Sequence, residues 1–371
     1  MKLSNVFIAT LINLIAISIN DISLVEGKSL LVQSTQASAQ KVTSQESEAD
    51  LLLFQGGEQL KQGQYQAAID SLQQALEIYQ KIGNNSGQAA SLGIIGLAYT
   101  KIEQYEQAID VLKKSFEIAQ TTSNLNSAAR SSLILGDTYY KLNAYSEAIN
   151  FYQQALTIAQ EIEDLEKEAE AANNLGLTYH KIKEYKQAIN FYQQSLLIAR
   201  EVGKYYLEAS SLVNLGIVYH EISEPQQAIA FLQQSLVTSR EIEDRSTEAY
   251  SLFHLGRAYS KLDKYKRAIH FLEPTPALFQ ELGHQIQEAA ALQILGTNYL
   301  ALKQCPQSIK SLEKSLTIYR QLNNRRGEAF TLASLSFAHL CQGDTEKALF
   351  FRRKSQAIFE EIGESYEGIF S

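Results

Sequence analysis

Small and apolar residues return along this chain at a fixed interval of forty positions. Gly56, Gly96, Gly136, Gly176, Gly216, Gly256 and Gly296 form one column, which Ser336 closes. Three residues further on stand Tyr99, Tyr139, Tyr179, Tyr219, Tyr259 and Tyr299, then His339. The pair Ala68-Ile69 recurs as Ala108-Ile109, Ala148-Ile149, Ala188-Ile189, Ala228-Ile229 and Ala268-Ile269, and Ser308-Ile309 and Ala348-Leu349 complete that column. No insertion or deletion breaks the register from Gly56 to Leu349. Within one interval the spacing is helical. In the third, Leu133, Leu135, Gly136 and Tyr139 predict a helix over 127–141, and Asn143-Ala144 predicts a short turn. Ala148, Ile149, Tyr152, Ala155, Leu156 and Ala159 then share one side of a second helix over 145–162. Residues 48–362 therefore read as eight helix pairs, in an all-α chain.

A lone pair cannot bury its whole apolar side, so neighbouring pairs must stack into a continuous core. The glycine column marks where the first helix approaches its partner closely, with the alanine column as the complementary small surface. Two irregularities stand out. Pro274 and Pro276 fall inside the second helix of the sixth pair, where each removes a hydrogen bond, so a kink or break is expected there, as a hinge between pairs 1–5 and 7–8. Pro225 and Pro306 sit at helix starts, where proline is tolerated. The eighth pair is followed only by a short tail, 363–371. It is expected to leave Phe350, Phe351, Ile358 and Phe359 as apolar surface, for a partner or for self-association.

Residues 1–47 do not follow the repeat. Met1-Lys2 precedes a mostly apolar stretch from Val6 to Ile19, which Asp21 ends, and Ala37-Ser38-Ala39 offers a small-x-small cleavage pattern. The segment 34–47 is polar and linker-like. These features point to export, or to membrane attachment through residues 3–19. The alternative is a cytoplasmic protein whose N-terminal helix packs on the first pair.

Charge and rare residues narrow the function classes. With 33 Lys+Arg against 41 Asp+Glu the net charge is −8, and no long basic run is present, which argues against nucleic acid as a partner. Two cysteines, Cys305 and Cys341, cannot build a disulfide scaffold and have no zinc-site spacing, so they read as small buried residues. There is no phosphate-binding glycine loop, HExxH run or GxSxG elbow. The sequence predicts no enzyme, no cofactor and no metal site. Glu168, Glu208, Glu248, Glu288 and Glu328 open the first helices, and Lys101, Lys141, Lys181 and Lys261 end them, as the helix dipole favours.

The pattern Leu-Gly-x-x-Tyr, then Ala, a large residue four later and a small one three after that, resembles the tetratricopeptide repeat. The third pair carries it as Leu135-Gly136, Tyr139, Ala148, Tyr152 and Ala155, and the fourth as Leu175-Gly176, Tyr179, Ala188, Tyr192 and Ser195. The period of 40 exceeds the usual 34, which is similar to long-unit bacterial arrays, spindle-orientation adaptors and kinesin light chains. The resemblance implies a right-handed superhelical solenoid of about eight helix-turn-helix units, acting as a non-catalytic scaffold for another protein or peptide. It further implies that first helices line a groove, with an Asn two residues before the Gly pointing into it. Asn174 and Asn214 match that position and His254 replaces it. Asn173, His180, Lys181, His220, Arg257 and Lys261 occupy neighbouring groove positions. Such a set, rich in donors, suits a ligand bearing carboxylates or main-chain carbonyls. A structural assembly unit docking through its C-terminal end is the rival reading.

Overall fold

In a computed structural model of the chain, the described residues are 26–364, with side chains from residue 41 onward. Both the export-like segment 3–19 and the tail beyond 364 lie outside them. Seventeen helices and no strand are found among the described residues. The chain divides into two compact units, residues 1–127 and 128–371.

The first unit holds α1 (Glu26–Lys61), α2 (Tyr65–Ile82), α3 (Asn85–Lys101) and α4 (Tyr105–Thr121). Segment 34–47, expected as a linker, is helical and continues into the first repeat as part of α1. Polar side chains of α1 are tied to the next elements: the Tyr79 hydroxyl donates to Asp50 at 2.6 Å and Asn84 donates to Glu46 at 2.9 Å. Leu72 and Ile95 are buried at the centre of this unit.

The second unit begins within α5 (Leu125–Lys141) and continues through α6 (Tyr145–Glu161), α7 (Leu165–Lys181), α8 (Tyr185–Glu201), α9 (Tyr205–Glu221), α10 (Pro225–Glu241) and α11 (Arg245–Lys261). The sixth pair is completed by two short helices, α12 (Tyr265–Leu272) and α13 (Thr275–Glu281). After them come α14 (Gln285–Ala301), α15 (Cys305–Gln321), α16 (Arg325–Gln342) and α17 (Thr345–Glu361). Its largest continuous core runs from α9 to α14 around Leu232, Leu272 and Phe279.

The period of 40 is built from two halves of 20. Most helices have 17 residues, and each is closed by a residue with positive φ: Asn143, Glu163, Lys183, Gly203, Ser223, Glu243, Asp263 and Gly283 succeed one another at steps of 20. This left-handed residue lets the next amide turn back onto the helix end, as Asp164 N donates to Ala159 O at 2.9 Å. Where the following residue is Asp or Asn, its side chain also caps the next first helix: Asp164, Asp244 and Asn324 accept from Lys167, Thr247 and Gly327 amides at 3.0, 3.0 and 2.8 Å. Such a cap contributes about 1 kcal/mol.

The glycine column is a close approach, as expected, but against a large residue sixteen positions on rather than against the alanines. A Cβ at Gly136 would lie 2.5 Å from the Tyr152 ring, and one at Gly216 2.4 Å from Leu232 Cγ. The tyrosine column stacks on the second helix of its own pair, with Tyr139–Phe151, Tyr179–Phe191 and Tyr219–Phe231 ring centroids 5.4, 5.5 and 5.3 Å apart.

The second helix of the sixth pair is interrupted between Leu272 and Thr275, as the prolines predict. Glu273 and Pro274 keep right-handed backbone angles, so the interruption lies in the hydrogen bonding more than in the path of the chain. Two expectations need correction. Cys305, at the start of α15, is disulfide-bonded to Cys341, in the last turn of α16, with Cα atoms 5.9 Å apart. They are 36 residues apart, nearly one period, so antiparallel stacking of neighbouring helices brings them side by side. At the C-terminal end, Ile358 and Phe359 are buried and Phe351 half-buried, because α17 packs them on α16; of the four named residues only Phe350 is exposed.

Candidate binding face of the first helices

First helices of successive pairs touch one another in the second unit, α7 on α9 and α9 on α11. Their facing polar residues form one connected surface. Asn174 donates to Asp137 at 3.2 Å, and Asp137 also accepts from the Tyr152 hydroxyl at 2.7 Å. Asn214 donates to Asn173 Oδ1 at 3.3 Å, and the Ser211 hydroxyl reaches the same oxygen at 3.5 Å. His180 Nε2 pairs with Glu221 at 2.9 Å, and Lys261 donates to Ser223 at 2.9 Å. The two asparagines thus already spend donors on neighbouring units and tie pair to pair.

The cationic part of this face lies on α11, next to His220 of α9. His254 is buried beneath it, 7% exposed, and its Nδ1 is 3.5 Å from a half-buried Arg257 guanidinium. Arg257 also lies over the Phe253 ring, 5.7 Å from its centroid. Burial, reinforced by Arg257 and then Lys261 and opposed by Glu221, lowers the His220 pKa to about 4. Burial first and Arg257 second hold His254 well below the ordinary histidine range. Both rings are therefore neutral near pH 7. Lys181 is exposed at the end of α7.

Arg257 makes no ion pair with any of the described residues. The nearby carboxylate, Glu221, is taken by His180. Two buried polar atoms, His220 Nδ1 and the hydroxyl of Tyr192 on the second helix α8, also have no hydrogen-bond partner among the described residues. At the opposite end of the face, burial, with Asp137 next, raises the Glu170 pKa. The face is thus polarised, acidic around Asp137 and Glu170 and basic around Arg257 and Lys261.

Structure adds residues that the groove pattern did not single out. Asp137 and Glu221 are acceptors that organise the face, and a carboxylate in this otherwise donor-rich pattern was their only signal. The glutamates opening the first helices do more than complement the dipole. Glu208, Glu248 and Glu328 each receive, at 2.8 Å, the Nε of an arginine eight residues earlier: Arg200, Arg240 and Arg320. That arginine column, three members at the period of the repeat, was legible in the sequence. Among the described residues no group of three or more His, Cys, Asp and Glu side chains is placed to hold a metal ion.

Comparison with known proteins agrees with this architecture. A tetratricopeptide repeat profile matches residues 59–121, 103–161, 167–241 and 287–361, and a second one matches 249–273. No curated protein matches the chain in sequence. Among solved structures, the apo form of the quorum sensor NprR from B. thuringiensis is similar with a TM-score of 0.63 at 16% identity, over 89% of this chain and 95% of that one. A signal transduction ATPase with numerous domains and a tetratricopeptide repeat sensor, from Pyrococcus horikoshii, gives 0.66 at 15% identity, over 83% of this chain and 54% of that one. A Rap protein complexed with competence and sporulation factor gives 0.54 at 15% identity, over 85% and 99%. At such identities the likeness is one of fold. Profile matches along most of the repeats, carried by the glycine, tyrosine and alanine columns, place this chain in the tetratricopeptide repeat family.

Proposed function

We propose that the chain is a non-catalytic interaction scaffold whose first-helix face holds a carboxylate-bearing segment of a partner protein, anchored on Arg257. The observation that carries this reading is the half-buried Arg257 guanidinium with no ion-pair partner among the described residues. Guanidinium groups form short, two-pronged hydrogen bonds to carboxylates. Asn174 and Asn214 hold the units of this face in register. A solved Rap neighbour, complexed with competence and sporulation factor, supports the general idea that such a fold can present a binding face.

The test is retention of partners from native extract on the wild-type chain and on a variant carrying Asn174→Ala, Asn214→Ala and Arg257→Ala. A protein held by the first and lost by the second is expected. Equal retention by both, or none by either, rejects the face as the binding surface. A bound carboxylate would also favour protonated His220, so retention should strengthen as the pH falls from 7 to 5.

We also place the protein in an oxidising compartment. That reading is supported by the Cys305–Cys341 bridge, since such bonds persist mainly outside the reducing cytosol, and by the export-like pattern of residues 1–39. Fractionation of the native host, with mass analysis of the mature N-terminus, tests it: recovery in the cytosol with Met1 retained rejects export.

A further inference from the structure

A cavity of about 420 Å3 opens beside α13, between α14 and α15, away from the first-helix face. That volume falls in the range of small-ligand sites, roughly 300–1,000 Å3. Its origin lies in three differences between this place in the array and the same place one pair before and one pair after. Pro276 stands where four other pairs, both neighbours among them, have Leu156, Leu196, Leu236 and Leu316, all buried to 7% exposure or less, so the volume of a leucine side chain is only partly filled. Gln280 stands where Arg200, Arg240 and Arg320 stand, and Gln285 where Arg245 and Arg325 stand.

Those arginines are the partners of the glutamate column. Glu248 receives Arg240 at 2.8 Å and Arg245 at 2.9 Å, and Glu328 receives Arg320 at 2.8 Å and Arg325 at 2.6 Å. Even Glu168, which has no arginine, accepts from Gln160 at 3.0 Å and Gln194 at 3.3 Å. The carboxylate of Glu288, the member of the column that lines the cavity, makes no hydrogen bond or ion pair with the described residues; its backbone amide donates to His284 O at 2.9 Å. Burial raises its pKa, and Lys314 opposes that only in part. Leu292 and Leu295 form an apolar floor, and Glu273, held by the Tyr299 hydroxyl at 2.8 Å, supplies a second carboxylate at the rim.

We propose that this cavity is a binding site for a guanidinium group supplied by a ligand, which takes the place at Glu288 that an arginine of the chain takes in the neighbouring pairs. The bidentate match of guanidinium to carboxylate, and the aliphatic stem against Leu292 and Leu295, select arginine over a compact ammonium. Lys310 and Lys314 line the same cavity and would receive a ligand carboxylate, as free arginine carries. The two sources of the group are therefore the free amino acid and an arginine side chain of a partner protein.

Calorimetric titration of the full chain separates them. The probes are L-arginine, Nα-acetyl-L-arginine amide and L-citrulline, whose urea group has the shape of guanidinium without its charge. L-arginine should bind at least tenfold more tightly than L-citrulline, and Glu288→Gln should weaken it at least tenfold. Gln280→Arg should do the same by filling the site from within, while its thermal midpoint stays at or above that of the wild type. Blocked arginine binding as well as L-arginine identifies a protein side chain as the ligand; a tenfold weaker blocked probe identifies the free amino acid. Arg257→Ala, on the other face, should leave all these titrations unchanged. No saturable binding of either arginine probe, equal binding of citrulline, or affinity unchanged in Glu288→Gln overturns the proposal.

Discussion

His220 shows how a single side chain reports the electrostatics of the binding face. Its pKa of about 4 lies below the ordinary 6.5 because burial and the positive charges of Arg257 and Lys261 disfavour the charged ring. In the unfolded chain the same ring takes up its proton near 6.5. Between about pH 6.5 and 4 the unfolded state therefore binds more protons, and folding stability falls as the pH drops through that window. His254, held low by burial and Arg257, acts in the same direction. Histidine ring signals in NMR should show His220 neutral down to about pH 4, and Arg257→Gln should move its midpoint upward. A wild-type midpoint near 6.5 would mean that the ring is solvated and that Arg257 does not face it. The identity of the face residues was legible in the sequence, since a column position fixes which side of a helix a residue occupies. Their state was not. Asn174 and Asn214 read as free donors, but each is drawn to an acceptor one unit away, and a one-dimensional pattern does not say which columns of adjacent units meet.

At the scale of the element, the sequence specifies most helices through composition and spacing, and the twenty-residue half-period is the part it obscures. Only some of the left-handed turn positions carry glycine; Glu163, Lys183 and Glu243 adopt the same positive φ with ordinary side chains. The requirement comes from closing one helix against the next, so geometry overrides local preference there. The interrupted helix α12–α13 is the opposite case, a feature that the residues announce outright. Proline at 274 removes a backbone donor, and proline at 276 also removes a buried leucine. Replacing both, Pro274→Gln with Pro276→Leu, should join α12 to α13, close the cavity beside them and raise stability by about 1–3 kcal/mol, set against the ~3 kcal/mol that an interior proline costs. Chemical denaturation, with helicity followed by circular dichroism, checks it; a variant no more stable than wild type would show that the neighbouring pairs have adapted to the break. The same variant should lose any arginine binding, because its leucine would occupy the cavity.

For the molecule as a whole, the repeat pattern made the architecture readable from forty-residue periodicity alone, while the covalent link between Cys305 and Cys341 stayed hidden. Two cysteines in 371 residues carry no pairing signal until stacking sets one period beside the next. The bridge joins the seventh pair to the eighth, so its energy belongs to the array and not to either helix. Constraining a loop of 36 residues in the unfolded chain corresponds to about 2–4 kcal/mol. Reduction, or Cys305→Ser with Cys341→Ser, should lower stability by that amount with little change in helical content. Unfolding that is indifferent to reductant would place the native-state contribution near zero. Because a stacked array loses its end units most readily, the bridge also has a mechanical meaning. When the protein is drawn out from its two ends, residues 306–340 stay out of the line of force, and the extended contour falls short by about 120 Å, at some 3.3–3.6 Å per residue. Under tension, α15 and most of α16 behave as a knot of slack that only a reductant releases.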